Sequence, residues 1–304
     1  MIELWIPAAA LFLTLLPCLI VDQVIRLMAC RQRRESMRTL ERLVRQGDLP
    51  EAVPPAETVT LLNRDGNRLT GRLLSEGPVR RLVIFTHGLN ASGASGLPFW
   101  PLLRSMGYAL LLADGRGHGG SQGRYTTYGY YEREDLACWV SYARQRWGSS
   151  LPIGLMGQSM GAATAMEYAA VDPAIRFVIA DSGFTRACDV LKFRLRSARC
   201  CPNALYRLIR ARLWALCRFP LEQLNPVEDI PLAEAPMLFI RGGRDRIVPP
   251  EMSALLLQAR HHPADRLYEV PWAAHVGCYH ASPQAYLHEL RRFIQSAESG
   301  RLAG

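Results

Sequence analysis

The sequence predicts an α/β fold in which a mostly parallel central sheet is covered by helices on both faces. About half of the 304 residues, 49%, are apolar, which suits one large domain with a buried core. From a hairpin around Asp65-Gly66 onward, apolar strands alternate with helical segments, and this alternation is typical of parallel sheets. The third observation is a serine between two glycines where a strand meets a helix.

That serine, Ser159, is a candidate nucleophile because of its local context. The segment 151–156 predicts a short buried strand, and the alanine-rich segment 160–170 predicts a helix. Gly157 and Gly161 remove the side chains that would collide at so sharp a corner. The serine hydroxyl is then held out at the end of the sheet, and the backbone amide of Met160 points toward an oxyanion formed beside it.

A serine hydroxyl needs a histidine base, and the base needs a carboxylate to orient it. Asp245 follows the apolar strand 236–240, and His275 follows the strand 268–271 in a loop of small residues. Both therefore fall in loops at strand ends. Asp181, at the end of another strand, is the rival acid, and four other histidines are rivals for the base: His261, His262, His280 and His288.

In combination, these motifs resemble the α/β-hydrolase-fold serine hydrolases, most closely a bacterial, membrane-anchored branch related to the Bem46-like and S33 aminopeptidase-like proteins. The resemblance covers about residues 58–294 and includes the chain order Ser159, Asp245, His275. The matching motifs are His87-Gly88, Asp114 to Ser121, Gly157 to Gly161, Asp181-Ser182-Gly183-Phe184, Gly242 to Val248 and His275.

The resemblance implies ester or related acyl hydrolysis through a serine-bound acyl intermediate, without a metal or organic cofactor. It also assigns the second oxyanion donor to the backbone amide of Leu89, the residue after the His-Gly pair. His87 is then expected to brace this loop. The glycine-rich run Asp114 to Ser121 lacks the lysine of a phosphate-binding loop, and we interpret it as a structural loop beside the site.

Three regions are predicted along the chain: a transmembrane anchor at 1–25, a basic juxtamembrane segment and linker at 26–57, and a hydrolase domain at 58–304. Residues 4–21 form an uncharged apolar run, and the arginines that follow predict an inner-membrane protein with a cytoplasmic catalytic domain. Two alternatives are a lipoprotein acylated at Cys30 and a buried core helix. A cap insertion is expected at about 185–235.

Basic residues are concentrated in two places. Residues 26–45 contain seven arginines and two glutamates, and residues 185–219 contain nine basic residues and one aspartate. Since the remainder is not basic, nucleic acid is not an expected partner. Within the cap, residues 203–217 predict an amphipathic helix. It is either a lid with a solvated arginine face or a surface that lies against anionic lipid.

The eight cysteines show neither a disulfide framework nor zinc-ligand spacing, as expected in a reducing compartment. The predicted function is hydrolysis of carboxylic esters or thioesters, of a small-molecule or lipid-like acyl substrate, through Ser159, His275 and Asp245. One alternative is a peptidase or amidase that uses the same triad. The other is a non-catalytic protein of this fold that binds lipid or a partner. The sequence indicates no oligomeric state.

Overall fold

The computed structural model describes residues 55–196 and 201–299, together with Leu19, Val21, Asp22, Leu43 and Gly47. Within this part of the chain, eight strands form one sheet in the order β1-β2-β4-β3-β5-β6-β7-β8. The pairs β1–β2 and β2–β4 are antiparallel, and all other neighbours are parallel, so the predicted mostly parallel sheet is confirmed. The strands are β1 Glu57–Leu62, β2 Arg68–Leu74, β3 Leu82–Thr86, β4 Ala109–Ala113, β5 Ile153–Gln158, β6 Ile175–Asp181, β7 Met237–Gly242 and β8 Arg266–Val270.

Helices cover both faces of the sheet because the central strands are apolar on both sides. Along β3, Ile84 belongs to one hydrophobic core and Phe85 to the other, as alternation along a strand requires. The helices are α1 Trp100–Ser105, α2 Glu132–Trp147, α3 Met160–Ala169, α4 Ala187–Leu195, α5 Pro202–Cys217, α6 Pro226–Asp229, α7 Glu251–Gln258, α8 Cys278–Ala281 and α9 Pro283–Ser299. Short 3-10 helices lie at Gly93–Phe99, Leu221–Gln223 and Ile230–Leu232.

Each core has its own helices. Leu136 and Trp139 of α2 pack on one face with Ala162 of α3. On the other face, α9 buries Leu290 and Phe293. The spacing of the buried residues along α9 corresponds to one side of a helix, and the side that faces away carries the charged residues.

The stretch between β6 and β7 contains α4, α5, α6 and two 3-10 helices, which occupy the predicted cap region. A third hydrophobic cluster, including Phe184, Phe219 and Leu224, joins these helices to the domain. The helix α5 has no fully buried residue. Its predicted apolar positions are half-buried, and Arg207 and Arg210 are exposed.

The predicted anchor, residues 1–25, lies outside the described residues except for Leu19, Val21 and Asp22. Cys30 lies outside them as well. No helix in the part that the structure describes has both the length and the apolar character to cross a bilayer. The anchor, and the cellular location inferred from it, therefore stay predictions.

Candidate active site

The turn between β5 and α3 holds Ser159 in an unusual backbone conformation. Its φ is 54° and its ψ is −114°, a region that non-glycine residues rarely adopt. Its N–H donates to the carbonyl of Asp181 at 2.7 Å, and its own carbonyl accepts from Ala163 at 3.1 Å. The turn is thus held from the sheet and from the helix, and the serine hydroxyl is left for other partners.

Two glycines make this turn possible, as the sequence predicts. A Cβ on Gly157 would lie 2.2 Å from the carbonyl oxygen of Gly161, and a Cβ on Gly161 would lie 2.0 Å from the carbonyl oxygen of Thr86. Thr86 also donates its hydroxyl to the carbonyl of Gly161 at 2.9 Å. The first turn of α3 is therefore pressed against the end of β3, and both glycine positions exclude a side chain.

Replacing Gly161 with alanine is expected to destabilise the protein by several kcal/mol, because the new methyl group meets backbone that cannot move aside. Urea unfolding followed by circular dichroism measures the change. Gly115→Ala is the matched control, since a Cβ there has its nearest neighbour at an ordinary 3.4 Å. Equal free energies of unfolding for the two variants would contradict the expectation.

The structure brings Ser159, His275 and Asp245 into one hydrogen-bonded chain. Nε2 of His275 lies 2.8 Å from Oγ of Ser159, and its Nδ1 lies 2.6 Å from Oδ2 of Asp245. The side chain of His275 is 19% exposed, whereas that of Asp245 is 3% exposed. The base can therefore be reached from outside, and the acid behind it is shielded from water.

Asp245 is fixed by the backbone of its own loop. Its Oδ1 accepts the N–H groups of Ile247 at 2.8 Å and Val248 at 2.9 Å, which leaves Oδ2 for the histidine. A carboxylate at Nδ1 favours the tautomer that carries its proton there. Nε2 of His275 is then the acceptor that a serine hydroxyl needs.

The rival residues occupy other places. Asp181 is completely buried, and its carboxyl oxygens accept from the hydroxyls of Ser182 and Tyr286, both at 2.9 Å. Among the rival histidines, His262 accepts the N–H of Ala264 at 3.1 Å. The other three are exposed on the surface: His261, His280 and His288.

Asp181 nevertheless connects to the histidine loop through Ser182. The Oγ of Ser182 donates to Asp181 and accepts the N–H of Val276 at 3.0 Å. Val276 has a φ of 54° and directly follows His275. The buried carboxyl therefore holds, through one hydroxyl, the backbone that orients the imidazole.

Burial raises the pKa of Asp181 to about 6, while the hydrogen bonds from Ser182 and Tyr286 oppose the shift. A carboxyl whose pKa is higher in the folded state holds its proton more tightly there than in the unfolded chain. Its contribution to stability is therefore complete below its ordinary pKa, 3.8, and is lost as the pH rises through about 6.

Between pH 4 and pH 7 we expect wild type to lose up to about 3 kcal/mol of unfolding free energy relative to Asp181→Asn, which cannot ionise. Urea unfolding of both proteins across this range measures the difference. A difference that is independent of pH would show that Asp181 does not titrate in this window.

The loop after β3 lies against the nucleophile. A Cβ on Gly88 would lie 3.3 Å from the Cβ of Ser159, so the loop that carries Leu89 passes directly beside the serine. Leu89 is half-buried, and Met160 is buried at the first turn of α3. The loop that carries Leu89 is thus next to Ser159, and Met160 directly follows Ser159 in the chain.

His87 connects this loop to the next one. Its Nε2 accepts the N–H of Gly115 at 2.9 Å, so Nδ1 must carry the proton that is donated to the carbonyl of Gly88 at 2.7 Å. Burial lowers the pKa of His87 to about 4, and the imidazole is neutral near pH 7. The side chain thus braces the two loops.

The glycine-rich run after β4 folds around its own aspartate. Oδ1 of Asp114 accepts the N–H of Gly93 at 2.8 Å, and Oδ2 accepts that of Gly120 at 2.9 Å. Within the same run, Arg116 forms two hydrogen bonds of 2.7 Å with Asp135. These contacts join the run to the 3-10 helix at Gly93–Phe99 and to α2.

Three residues around the triad had no predicted role: Ser182, Tyr286 and Thr86. Ser182 stands in a motif that the resemblance includes, so a signal for it was present. Tyr286 lies 105 residues from Asp181 and looks like any apolar position of an amphipathic helix. Its hydrogen bond to Asp181 depends on the packing of α9 against the sheet.

The chain is similar to known proteins in sequence and in fold. A model of the family described as serine aminopeptidase, S33, matches residues 77–188. The chain is 30% identical over 224 residues to the YqkD protein of Bacillus subtilis. The aligned region covers 70% of this chain and 71% of that protein. The chain is also 30% identical over 161 residues to the thiohydrolase aneE of Aspergillus aculeatus, covering 51% of this chain and 48% of that one.

Among solved structures, the esterase Pf2001 of Pyrococcus furiosus superposes with a TM-score of 0.65. The match covers 82% of this chain and 95% of that chain at 24% identity, and it shows that the two share a fold. The family model, the relative in Bacillus subtilis and this shared fold together assign the chain to a family. The chain belongs to the α/β-hydrolase family of serine hydrolases and is an enzyme of that family.

Proposed function

We propose that the protein hydrolyses carboxylic esters or thioesters through Ser159, His275 and Asp245. The observation that carries the proposal is the hydrogen-bonded chain from Asp245 through His275 to Ser159. The strained backbone of Ser159 adds to it, since such strain is found where function requires it. The similar protein of Aspergillus aculeatus is named a thiohydrolase, and the Pyrococcus furiosus protein of the same fold is named an esterase, which favours an ester or thioester over an amide.

In the first half of the reaction, Oγ of Ser159 attacks the acyl carbonyl carbon while its proton passes to Nε2 of His275. Asp245 stabilises the imidazolium that forms. The carbonyl oxygen becomes an oxyanion, which the amides of Leu89 and Met160 stabilise. When the tetrahedral intermediate collapses, the bond to the leaving group breaks, and His275 returns the proton to the departing alcohol or thiol.

In the second half, water attacks the acyl-serine and gives its proton to His275. Collapse of the second tetrahedral intermediate breaks the bond to Oγ of Ser159, which recovers its proton from the imidazolium. The products are a carboxylic acid and a free enzyme. Every proton that moves in the two halves is carried by His275.

A fluorophosphonate probe tests whether Ser159 is an activated nucleophile. We expect wild type to be labelled, with the adduct mapped to Ser159 by mass spectrometry, and Ser159→Ala to remain unlabelled. A non-catalytic protein of this fold would show no labelling. Labelling that persists in Ser159→Ala would refute the assignment.

Substrate class requires a separate measurement. The description of the matching family names an aminopeptidase, and the same triad can attack an amide. Initial rates on p-nitrophenyl esters and thioesters of graded acyl length are compared with rates on aminoacyl p-nitroanilides. We expect kcat/KM, divided by the uncatalysed hydrolysis rate of each substrate, to be higher for the esters or thioesters. Higher values for the anilides would favour a peptidase.

Residues 1–25 are proposed to anchor the chain in a membrane, with the catalytic domain on the cytoplasmic side. The uncharged run 4–21 and the arginines from Arg26 to Arg45 support this proposal. A reporter enzyme that is active only in the cytoplasm, fused at the C-terminus, tests it in bacterial cells. An active reporter in the membrane fraction is expected. A silent reporter would indicate the opposite topology, with the C-terminus outside the cytoplasm.

A further inference from the structure

One face of the cap helix α5 carries an unusual set of side chains. Arg207, Arg210 and Trp214 follow one another at intervals of three or four residues, which places them in one stripe along the helix, and Arg218 caps the C-terminal end of the helix beside Trp214. All four are exposed, and the Trp214 side chain is 49% exposed. The other side of α5 packs inward through Tyr206 and Leu213, among others.

This stripe combines positive charge with an aromatic ring. The guanidinium carbon of Arg218 lies 5.6 Å from the centre of the Trp214 ring, and Arg210 is 3.3 Å from Glu222. No carboxylate within the described residues is paired with Arg207 or Arg218. Tryptophan is enriched at membrane–water interfaces, and arginines near a membrane are attracted to anionic lipid headgroups.

A second observation places α5 beside the N-terminal segment. Nε of Arg212, on the flank of the helix, donates to Oδ1 of Asp22 at 2.6 Å, and a second nitrogen of the guanidinium donates to the other oxygen. Asp22 is the first charged residue after the apolar run 4–21. The helix with the cationic stripe is therefore tied to the point where that run ends.

The same helix and its neighbour contact the catalytic side of the domain. The hydroxyl of Tyr131 donates to the carbonyl of Arg218 at 3.0 Å. In α4, Arg194 donates to the carbonyl of Arg246, the residue after Asp245, at 3.3 Å. The cap that carries the stripe is therefore joined to the loop of Asp245.

We propose that the stripe Arg207, Arg210 and Trp214, with Arg218 at its end, binds the anionic surface of the membrane that holds residues 4–21. The arginines contact lipid phosphates, and the Trp214 ring sits among the headgroups. This surface would present the active site to acyl substrates that reside in the bilayer. The inference rests on the proposed anchor and adds to it a second, electrostatic contact.

Tryptophan fluorescence of the full chain in vesicles tests the proposal, with phosphatidylcholine brominated on its acyl chains as the quencher. Trp5, within the apolar run, reports insertion of that run, and Trp214 reports contact of α5. In vesicles that also contain phosphatidylglycerol, we expect Trp214→Phe to reduce the quenched fraction. Trp147→Phe, which removes a half-buried tryptophan at the C-terminal end of α2, is the matched control and is expected to leave the quenched fraction unchanged.

Charge is tested in the same assay. Arg207→Gln with Arg210→Gln should reduce quenching to the level of Trp214→Phe, and so should omission of phosphatidylglycerol. Arg291→Gln with Arg292→Gln, an equal charge change on α9, should have no effect. Equal quenching of wild type and Trp214→Phe would overturn the proposal. It would also be overturned if the quenching of Trp214 depended neither on the two arginines nor on the anionic lipid.

The outcomes separate this proposal from the two on which it builds. If the fluorescence of Trp5 in wild type is not quenched and the protein does not stay on the vesicles, the anchor is refuted. Hydrolysis of a short water-soluble ester is measured on each variant and should stay within twofold of wild type, which also shows that the variants fold. Absence of that hydrolysis from wild type would refute the esterase function and leave the quenching result standing.

Discussion

Replacing Ser159 with alanine is expected to reduce kcat about 10⁶-fold, the order of magnitude found when a triad acts as one unit. His275 receives no proton when Oγ is absent, so the remaining rate comes from the oxyanion donors and substrate binding alone. Steady-state kinetics on a p-nitrophenyl ester measures kcat. Ser105→Ala, a matched change on α1, should retain the wild-type rate.

The same interdependence predicts that the losses do not add. His275→Ala alone, Ser159→Ala alone and the double variant should reach a similar residual rate. Additive losses would mean that the two side chains act separately, in conflict with their 2.8 Å hydrogen bond. Circular dichroism of each variant checks that the fold is retained.

Replacing Asp245 with asparagine is expected to lower kcat about 10⁴-fold and to change KM little. Oδ1 of Asp245 accepts two backbone N–H groups, so the asparagine must keep its oxygen there and turn its NH₂ toward His275. That group donates to Nδ1 and moves the imidazole proton to Nε2. The histidine then faces Ser159 with a donor and cannot accept its proton.

Asp181→Asn provides the comparison that distinguishes the two carboxyls. Its oxygens accept from Ser182 and Tyr286, and its effect on catalysis passes through the backbone of Val276. We therefore expect a loss of about tenfold or less, far below that of Asp245→Asn. A larger loss from Asp181→Asn than from Asp245→Asn would make Asp181 the acid of the triad.

The sheet and its connections could be predicted because their signals are local. Ser159, Asp245 and His275 each lie within a few residues after the end of a strand, and loops follow the strands at 82–86 and 109–113. Since the carboxyl ends of parallel strands share one edge of a sheet, residues after those strands fall near one another. Proximity of the three side chains thus follows from chain order and strand direction.

Contacts between distant segments could not be predicted in the same way. Nothing in the sequence of α9 distinguishes Tyr286 from its apolar neighbours, and its role depends on how that helix packs over β6. The pairing of Arg212 with Asp22 joins residues that are 190 positions apart. Such pairs are set by tertiary packing, which depends on the whole fold.

β6 and β7 are parallel, hydrogen-bonded neighbours, with Val178 opposite Met237. The chain between them therefore leaves the carboxyl edge of the sheet after β6 and crosses to the opposite edge to begin β7. The helices α4 and α5 lie in the first part of this connection, and the nucleophile, base and acid are held by loops outside it. Exchange of the cap for that of a relative is thus a way to alter which acyl groups reach the serine without rebuilding the machinery that cleaves them.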